Sequence, residues 1–165
     1  MGRGAGYIAW GGGVILLAAL ASLPLRREYE VSVAAGQQVE AKDAYGRSWR
    51  FVNQGISNGR SLNREVASAT LEAIRDGTRR GLITSEQRQY LDSQEHPTHE
   101  PVTEAGIRAG ALQDVYVELS SVRDEVADIR IAFNPLVMWV WIGGAIMALA
   151  GLVAMWPGAR EGANS

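Results

Sequence analysis

LVMWVWIGGAIMALAGLVAMW, residues 136–156, contains no charged side chain and no strongly polar group. A helix rises about 1.5 Å per residue, so roughly 20 apolar residues match a hydrocarbon core about 30 Å thick. Leu136 to Trp156 is therefore read as a membrane span. Trp139 and Trp141 lie near one end and Trp156 marks the other, where aromatic anchors meet the membrane interface. Pro135 suits the first turn of such a helix, and Asn134 is placed to cap it. A buried helix in a soluble protein would need a core large enough to surround it. A chain of 165 residues with a polar middle does not supply one.

Outward from this segment the chain is apolar, polar, apolar. No Asp, Glu, Lys or Arg occurs from Gly4 to Leu25 or from Ile131 to Ala159. Tyr7 to Leu25, YIAWGGGVILLAALASLPL, is the second candidate span, with Trp10 as its anchor and Pro24 near its end. Ala19-Leu20-Ala21 also resembles a cleavage site, so a signal peptide is the rival reading. The weak leading positive charge, the amino terminus plus Arg3, favours a retained anchor. Small residues recur at helical spacing, with Gly144, Ala148 and Gly151 on one segment and Ala5, Ala9 and Gly12 or Gly13 on the other. Such stripes let membrane helices approach closely, although glycine and alanine are simply common here. Arg26, Arg27 and Arg130 flank the inner ends of the two segments. A long middle section translocates largely regardless of charge, so charge alone leaves the topology open.

The net charge is -2 with 16 basic and 18 acidic residues, which gives no case for nucleic-acid binding. Cysteine is absent, so disulfides, thiolate nucleophiles and Cys metal sites are excluded.

The middle section reads as short strands. In EYEVSVA, Tyr29, Val31 and Val33 alternate with Glu28, Glu30 and Ser32. Gln37 to Ala41 and Ser48 to Asn53 flank Lys42-Asp43-Ala44-Tyr45-Gly46 and predict a hairpin. Residues 63–84 are ambiguous: they are rich in helix formers, yet Ala67, Ala69, Leu71 and Ala73 alternate with polar neighbours. Asp76-Gly77 is a type I′ turn signal before a returning Leu82-Ile83-Thr84. Ser85 to Glu104, polar and holding Pro97 and Pro101, reads as a loop. DVYVEL at 114–119 and DIRIAF at 128–133 alternate again. The expected fold class is a membrane protein: two transmembrane α-helices flanking a small, mainly antiparallel β domain, barrel- or sandwich-like.

The chemistry is sparse. His96 and His99 in EHPTHE, with Glu95 and Glu100 beside them, have a spacing of three, but Pro97 denies them a common helical face. Two ligands also leave a metal site incomplete. No phosphate-binding glycine loop or nucleophile elbow occurs. The residues themselves point to a binding or structural module at a membrane surface.

Longer stretches carry a family resemblance. VTEAGIRAGALQDVYVEL at 102–119 and IRIAFNPLVMWVWIGGAIMALAGLVAMW at 129–156 resemble the C-terminal end of the cytochrome c-type biogenesis protein CcmF family. YEVSVAAGQQVEAKDAYGRSWRFVNQGIS at 29–57 and REVASATLEAIRDGTRRGLITSEQRQYL at 64–91 resemble the start and middle of its last periplasmic domain. The family's Pro-Glu-x-Arg-x-Tyr-like stretch reads Ser85-Glu86-Gln87-Arg88-Gln89-Tyr90 here, without the proline. The resemblance favours strands for 63–84. It implies residues 1–6 in the cytoplasm, a helix at 7–25, a periplasmic β domain at 26–133, a helix at 134–157 and a cytoplasmic tail at 158–165, all at the inner membrane.

The family delivers haem to apocytochrome c and, with partner proteins, helps form thioether bonds to a Cys-x-x-Cys-His motif. Its tryptophan-rich haem segment and haem-handling histidines belong to upstream regions that have no counterpart here, so no catalytic residue is carried over. Trp139-Val140-Trp141 matches the start of the last helix and not the haem motif. Haem is expected in an assembled complex and not on this chain, and no metal is assigned. Thr103, Glu104, Asp114 and Tyr116 match family positions, and the resemblance implies a fold or partner-docking role for them. Two functions stay open. One is a non-catalytic C-terminal subunit or fragment of a haem lyase. The other is a structural accessory subunit of another bacterial membrane complex, respiratory or photosynthetic, derived from this family. In either, the partners are lipid and other membrane subunits: haem lyase components or an electron-transfer complex.

Overall fold

The computed structural model describes residues 3–61 and 63–155, without the side chains of residues 3–9, 21–24, 154 and 155. Trp156 lies outside the described residues. Two compact units form, one holding the helices and the other spanning Leu25–Pro135.

In the second unit, alternation becomes strand after strand: β1 (Arg27–Ala34), β2 (Gln38–Lys42), β3 (Ser48–Ser61), β4 (Arg64–Arg75), β5 (Thr78–Tyr90), β6 (Val102–Glu104), β7 (Gly106–Arg108), β8 (Gln113–Arg123) and β9 (Val126–Pro135). All pairings are antiparallel, in one sheet ordered β1-β9-β8-β7 and a second ordered β2-β3-β4-β5-β6. The sheets face each other as a sandwich, and β6 passes into β7 across the single residue Ala105, so the chain changes sheet there.

The ambiguous stretch resolves as a hairpin. Asp76 (φ 48°) and Gly77 (φ 75°) take the two left-handed positions that a type I′ turn requires. Every second residue of β4 (Ala69, Leu71, Ala73) enters the core, and this burial overrides helix propensity. The expected loop at Ser85–Glu104 is shorter than its polarity suggests. β5 continues to Tyr90, and Val102–Glu104 form β6 against it. Ser85 is fully buried while Glu86 to Gln89 are half-buried, so the strand's polar residues sit on a surface ladder.

The core is built from alternate residues of both sheets, with Phe51, Leu71, Val117, Leu119, Ile129, Ile131 and Phe133 fully buried. Phe133 is its aromatic centre. Trp49 lies 5.7 Å from it, Phe51 lies 6.2 Å away and Tyr29 meets its edge at 6.1 Å. Asn53 is also fully buried; its amide donates to the Val33 carbonyl at 3.2 Å, and its Oδ1 accepts from Gly55 N at 3.1 Å. Both polar ends are thereby satisfied inside the core.

The other unit holds α1 (Arg3–Leu25) and α2 (Val137–Met155). Neither Asn134 nor Pro135 belongs to α2. Both close β9, where Pro135 needs no ladder donor, and Leu136 (φ 63°) accepts from Trp139 N at 3.0 Å. The two helices pack through Gly11 and Ile15 of α1 and Gly143 and Met147 of α2. Gly12, Gly13, Gly144 and Gly151, on the stripes expected from spacing, have open space where a Cβ would stand. No helix is long and apolar enough, over its described residues, to cross a membrane. The described side chains run over residues 10–20 and 25 of α1 and 137–153 of α2, each run short of the roughly 20 residues a span needs.

Candidate functional site

The densest polar arrangement lies at the end of the sandwich where the chain arrives at Arg27 and leaves at Pro135. It begins with the β2–β3 turn, which Gly46 (φ 75°) closes by donating to the Asp43 carbonyl at 3.0 Å. That turn carries the Asp43 side chain into the protein, where it is completely buried. Its Oδ1 accepts from the backbone N–H groups of Tyr45 (2.9 Å) and Arg47 (3.0 Å). Its Oδ2 accepts from Arg47 Nε (2.7 Å), Trp49 Nε1 (3.0 Å) and Gln113 Nε2 (2.8 Å). Burial pushes this carboxyl up, but the hydrogen bonds from Trp49, Arg47 and Tyr45 outweigh it and hold Asp43 below the ordinary carboxylate value. Asp43 therefore stays charged, and it ties the β2–β3 turn to the first residue of β8.

Besides Arg47, a second arginine lies near this carboxylate. The Arg75 guanidinium sits over the Trp49 ring, 5.6 Å from its centroid. Burial lowers the pKa of Arg75, and the nearby charges of Arg80 and Arg47 lower it further. Arg80 occupies the bulge where β4 and β5 slip register between Ala73 and Ile74. Arg108 of β7 brings Nη1 to 3.6 Å from where a Gly81 side chain would begin. Arg47 Nη2, Arg75 Nε, Arg80 Nε and Gln113 Oε1 are buried with no hydrogen-bond partner among the described residues.

A second feature is an open strand edge. β2 covers β3 only from Ser48 to Val52, and the β1–β2 turn bonds Asn53. From Gly55 to Ser61, β3 pairs with β4 on one side, and among the described residues no strand pairs with it on the other.

The four residues expected at a docking site do not converge. Thr103 Oγ1 donates to the Leu119 carbonyl at 3.2 Å, and the Glu104 carboxylate pairs with Arg88 at 2.6 Å. The Glu104 carbonyl accepts from Ser85 Oγ at 2.9 Å, and the same Oγ accepts from Leu119 N at 2.9 Å, so β5, β6 and β8 are joined at one hydroxyl. Asp114, buried, accepts from Gly110 N at 2.9 Å and fixes the β7–β8 turn. Tyr116 is half-buried on β8 opposite Ile107. Of the expected interface anchors, Trp10 and Trp141 are largely exposed and Trp139 is partly so. His96 and His99 are exposed; His96 lies 3.7 Å from Asp92, and the His99 ring contacts the Thr98 carbonyl. Among the described residues no group of three or more His, Asp or Glu side chains is arranged to hold a metal.

Asp43, Arg47, Arg75, Arg80 and Arg108 were not indicated as a site by the sequence. The only signal was the Asp-x-x-Gly turn at 43–46, because the rest come from separate strands.

An antiparallel sandwich with a buried, fully hydrogen-bonded carboxylate at one end defines a small all-β module. The profile described as CcmF C-terminal beta-sandwich matches residues 25–135, and the chain belongs to that family. The cytochrome c-type biogenesis protein CcmF of Haemophilus influenzae is 28% identical over 132 residues, which is 79% of this chain and 18% of the relative. The Escherichia coli K12 protein of the same name is 28% identical over 129 residues, 78% of this chain and 18% of the relative. CycK of Rhizobium meliloti is 30% identical over 148 residues, 87% of this chain and 20% of the relative. The chain thus spans about a fifth of the length of these relatives. A solved structure titled Cytochrome c Heme Lyase CcmF shares the fold, with a TM-score of 0.70 and 22% identity over 93% of this chain and 24% of that one.

Proposed function

We propose that this chain is the non-catalytic C-terminal part of a cytochrome c maturation haem lyase, with its sandwich displayed on the periplasmic side of the inner membrane. The carrying observation is that the family match, residues 25–135, coincides with the whole compact unit Leu25–Pro135. The domain is therefore retained as a unit and not as a fragment of one. Haem belongs to the assembled complex, with the sandwich holding partners in place.

The helices support the membrane setting. Trp10, Leu17, Trp141, Leu149 and Leu152 each expose more than half of their surface. Apolar surface on this scale needs a cover, and lipid suits helices that are apolar all round. The full apolar runs, Tyr7 to Leu25 and Leu136 to Trp156, extend past the described side chains and reach spanning length. Docking is supported by the open edge of β3, where an extended polypeptide can add as a strand.

Deleting the gene should abolish mature c-type cytochromes, read as loss of peroxidase-active haem bands on gels. Normal maturation in the deletion strain, with the chain co-purifying in fixed ratio with an electron-transfer assembly, overturns this function in favour of an accessory subunit.

A further inference from the structure

The sandwich end that holds Asp43 carries more positive charge than the protein itself answers. Arg47, Arg75 and Arg80 come near one another there from the β2–β3 turn, β4 and the β4–β5 bulge, and Arg108 of β7 reaches Gly81, the residue after Arg80. Asp43 is shared by Arg47, Trp49 and Gln113, and Asp76 reaches Arg75 only at 4.0 Å. The side chains of Arg80 and Arg108 form no hydrogen bond or ion pair among the described residues, whereas that of neighbouring Arg79 pairs with Glu72. Three guanidinium N–H groups, one each from Arg47, Arg75 and Arg80, are out of water and unpartnered. A buried unpaired donor is costly, and neighbouring like charges repel, so such a cluster suits an oxyanion that bridges the guanidinium groups.

We infer that this arginine cluster binds the phosphate of an anionic phospholipid headgroup. The inference rests on the membrane reading above. What selects a headgroup is position along the chain. Gln113, which donates to Asp43, is the register partner of Pro135, and α2 starts at Val137. Phe133, two residues before Pro135, packs on Trp49, the ring beneath Arg75. Along the chain, the residue paired with Gln113 is therefore followed within two positions by the apolar run that the membrane reading assigns to lipid. Guanidinium suits this ligand because its planar fork can engage two phosphate oxygens at once.

The test uses the full chain purified in dodecyl maltoside, a detergent without phosphate or charge. It is incubated with phosphatidylglycerol, and retained lipid is counted by native mass spectrometry. Arg80→Gln and Arg108→Gln should each weaken retention about tenfold, the loss expected for one charge-assisted hydrogen bond. Arg79→Gln, next in sequence but paired elsewhere, should retain lipid as the parent does, and Arg80→Lys should retain it better than Arg80→Gln. Equal retention by Arg80→Gln, Arg108→Gln and the parent overturns the site. Displacement of the lipid by inorganic phosphate at equal concentration reassigns the ligand to free phosphate and overturns the headgroup. A chain that fractionates away from membranes and stays monomeric without detergent refutes the membrane reading instead.

Discussion

Gly11 of α1 and Gly143 of α2 lie back to back. A Cβ on Gly11 would stand 2.9 Å from the Gly143 carbonyl oxygen, and a Cβ on Gly143 would stand 2.9 Å from the Gly11 carbonyl oxygen. The same Cβ positions would meet Met147 Cγ at 2.5 Å and Ile15 Cγ1 at 2.6 Å. The helix backbones touch because neither residue has a side chain. Gly143→Val should force the pair apart and destabilise it by about 1–3 kcal/mol, the usual penalty for overpacking. Gly144→Val, one residue along and facing open space, should be close to neutral. Cross-linking of cysteines placed on the two helices, in detergent, distinguishes these outcomes.

Asp43→Ala should be among the most damaging changes in the sandwich. It strips a partner from Trp49 Nε1, Gln113 Nε2 and Arg47 Nε and leaves a partly buried guanidinium without its counter-charge. Removing one member of a buried charged pair typically costs about 3–5 kcal/mol. Urea unfolding followed by circular dichroism should show the unfolding free energy falling by that amount, with a lower midpoint.

The same carboxylate sets an acid limit. Its pKa is lower folded than unfolded, so the unfolded chain binds more protons in the interval between the two. Its contribution is therefore fully present above the ordinary carboxylate value of about 4 and declines as pH falls toward the lower folded value. Unfolding midpoints should drop with acidification through that window. The slope should be shallower in Asp43→Asn, which cannot titrate there.

Gly106 marks where the chain has just changed sheet. A Cβ there would press into the Thr84 carbonyl and stand 2.6 Å from Ile83 Cγ2. Gly106→Ala should cost about 1–3 kcal/mol through overpacking, and its effect should exceed that of Gly55→Ala, where space is open. Thermal unfolding of the two variants checks this ranking.

Much of the sandwich was readable as alternation. EYEVSVA, SWRFVN, DVYVEL and DIRIAF each became a strand, with Val33, Trp49, Phe51, Val115, Val117, Ile129 and Ile131 buried. Asp76-Gly77 turned as its chemistry demands. β5 was hidden beyond Thr84 because its later residues are polar on both faces, and only pairing with β4 and β6 reveals it as strand. The helix contact was missed by one residue on each helix, and one residue rotates a side chain by about 100° around the axis. The arginine cluster could not be read at all. Its members lie between 5 and 61 residues apart, and nothing local distinguishes Arg80 from the ion-paired Arg79.

The pairing of β1 with β9 has a consequence for synthesis. Arg27 through Ala34 find their ladder partners only in Phe133 back to Val126. The first strand made must therefore wait, unzipped, until the last has left the ribosome. Contacts of such long sequence separation close slowly, so the nascent domain passes through a stage in which β1 is an exposed template. This is the stage at which a chaperone would matter most.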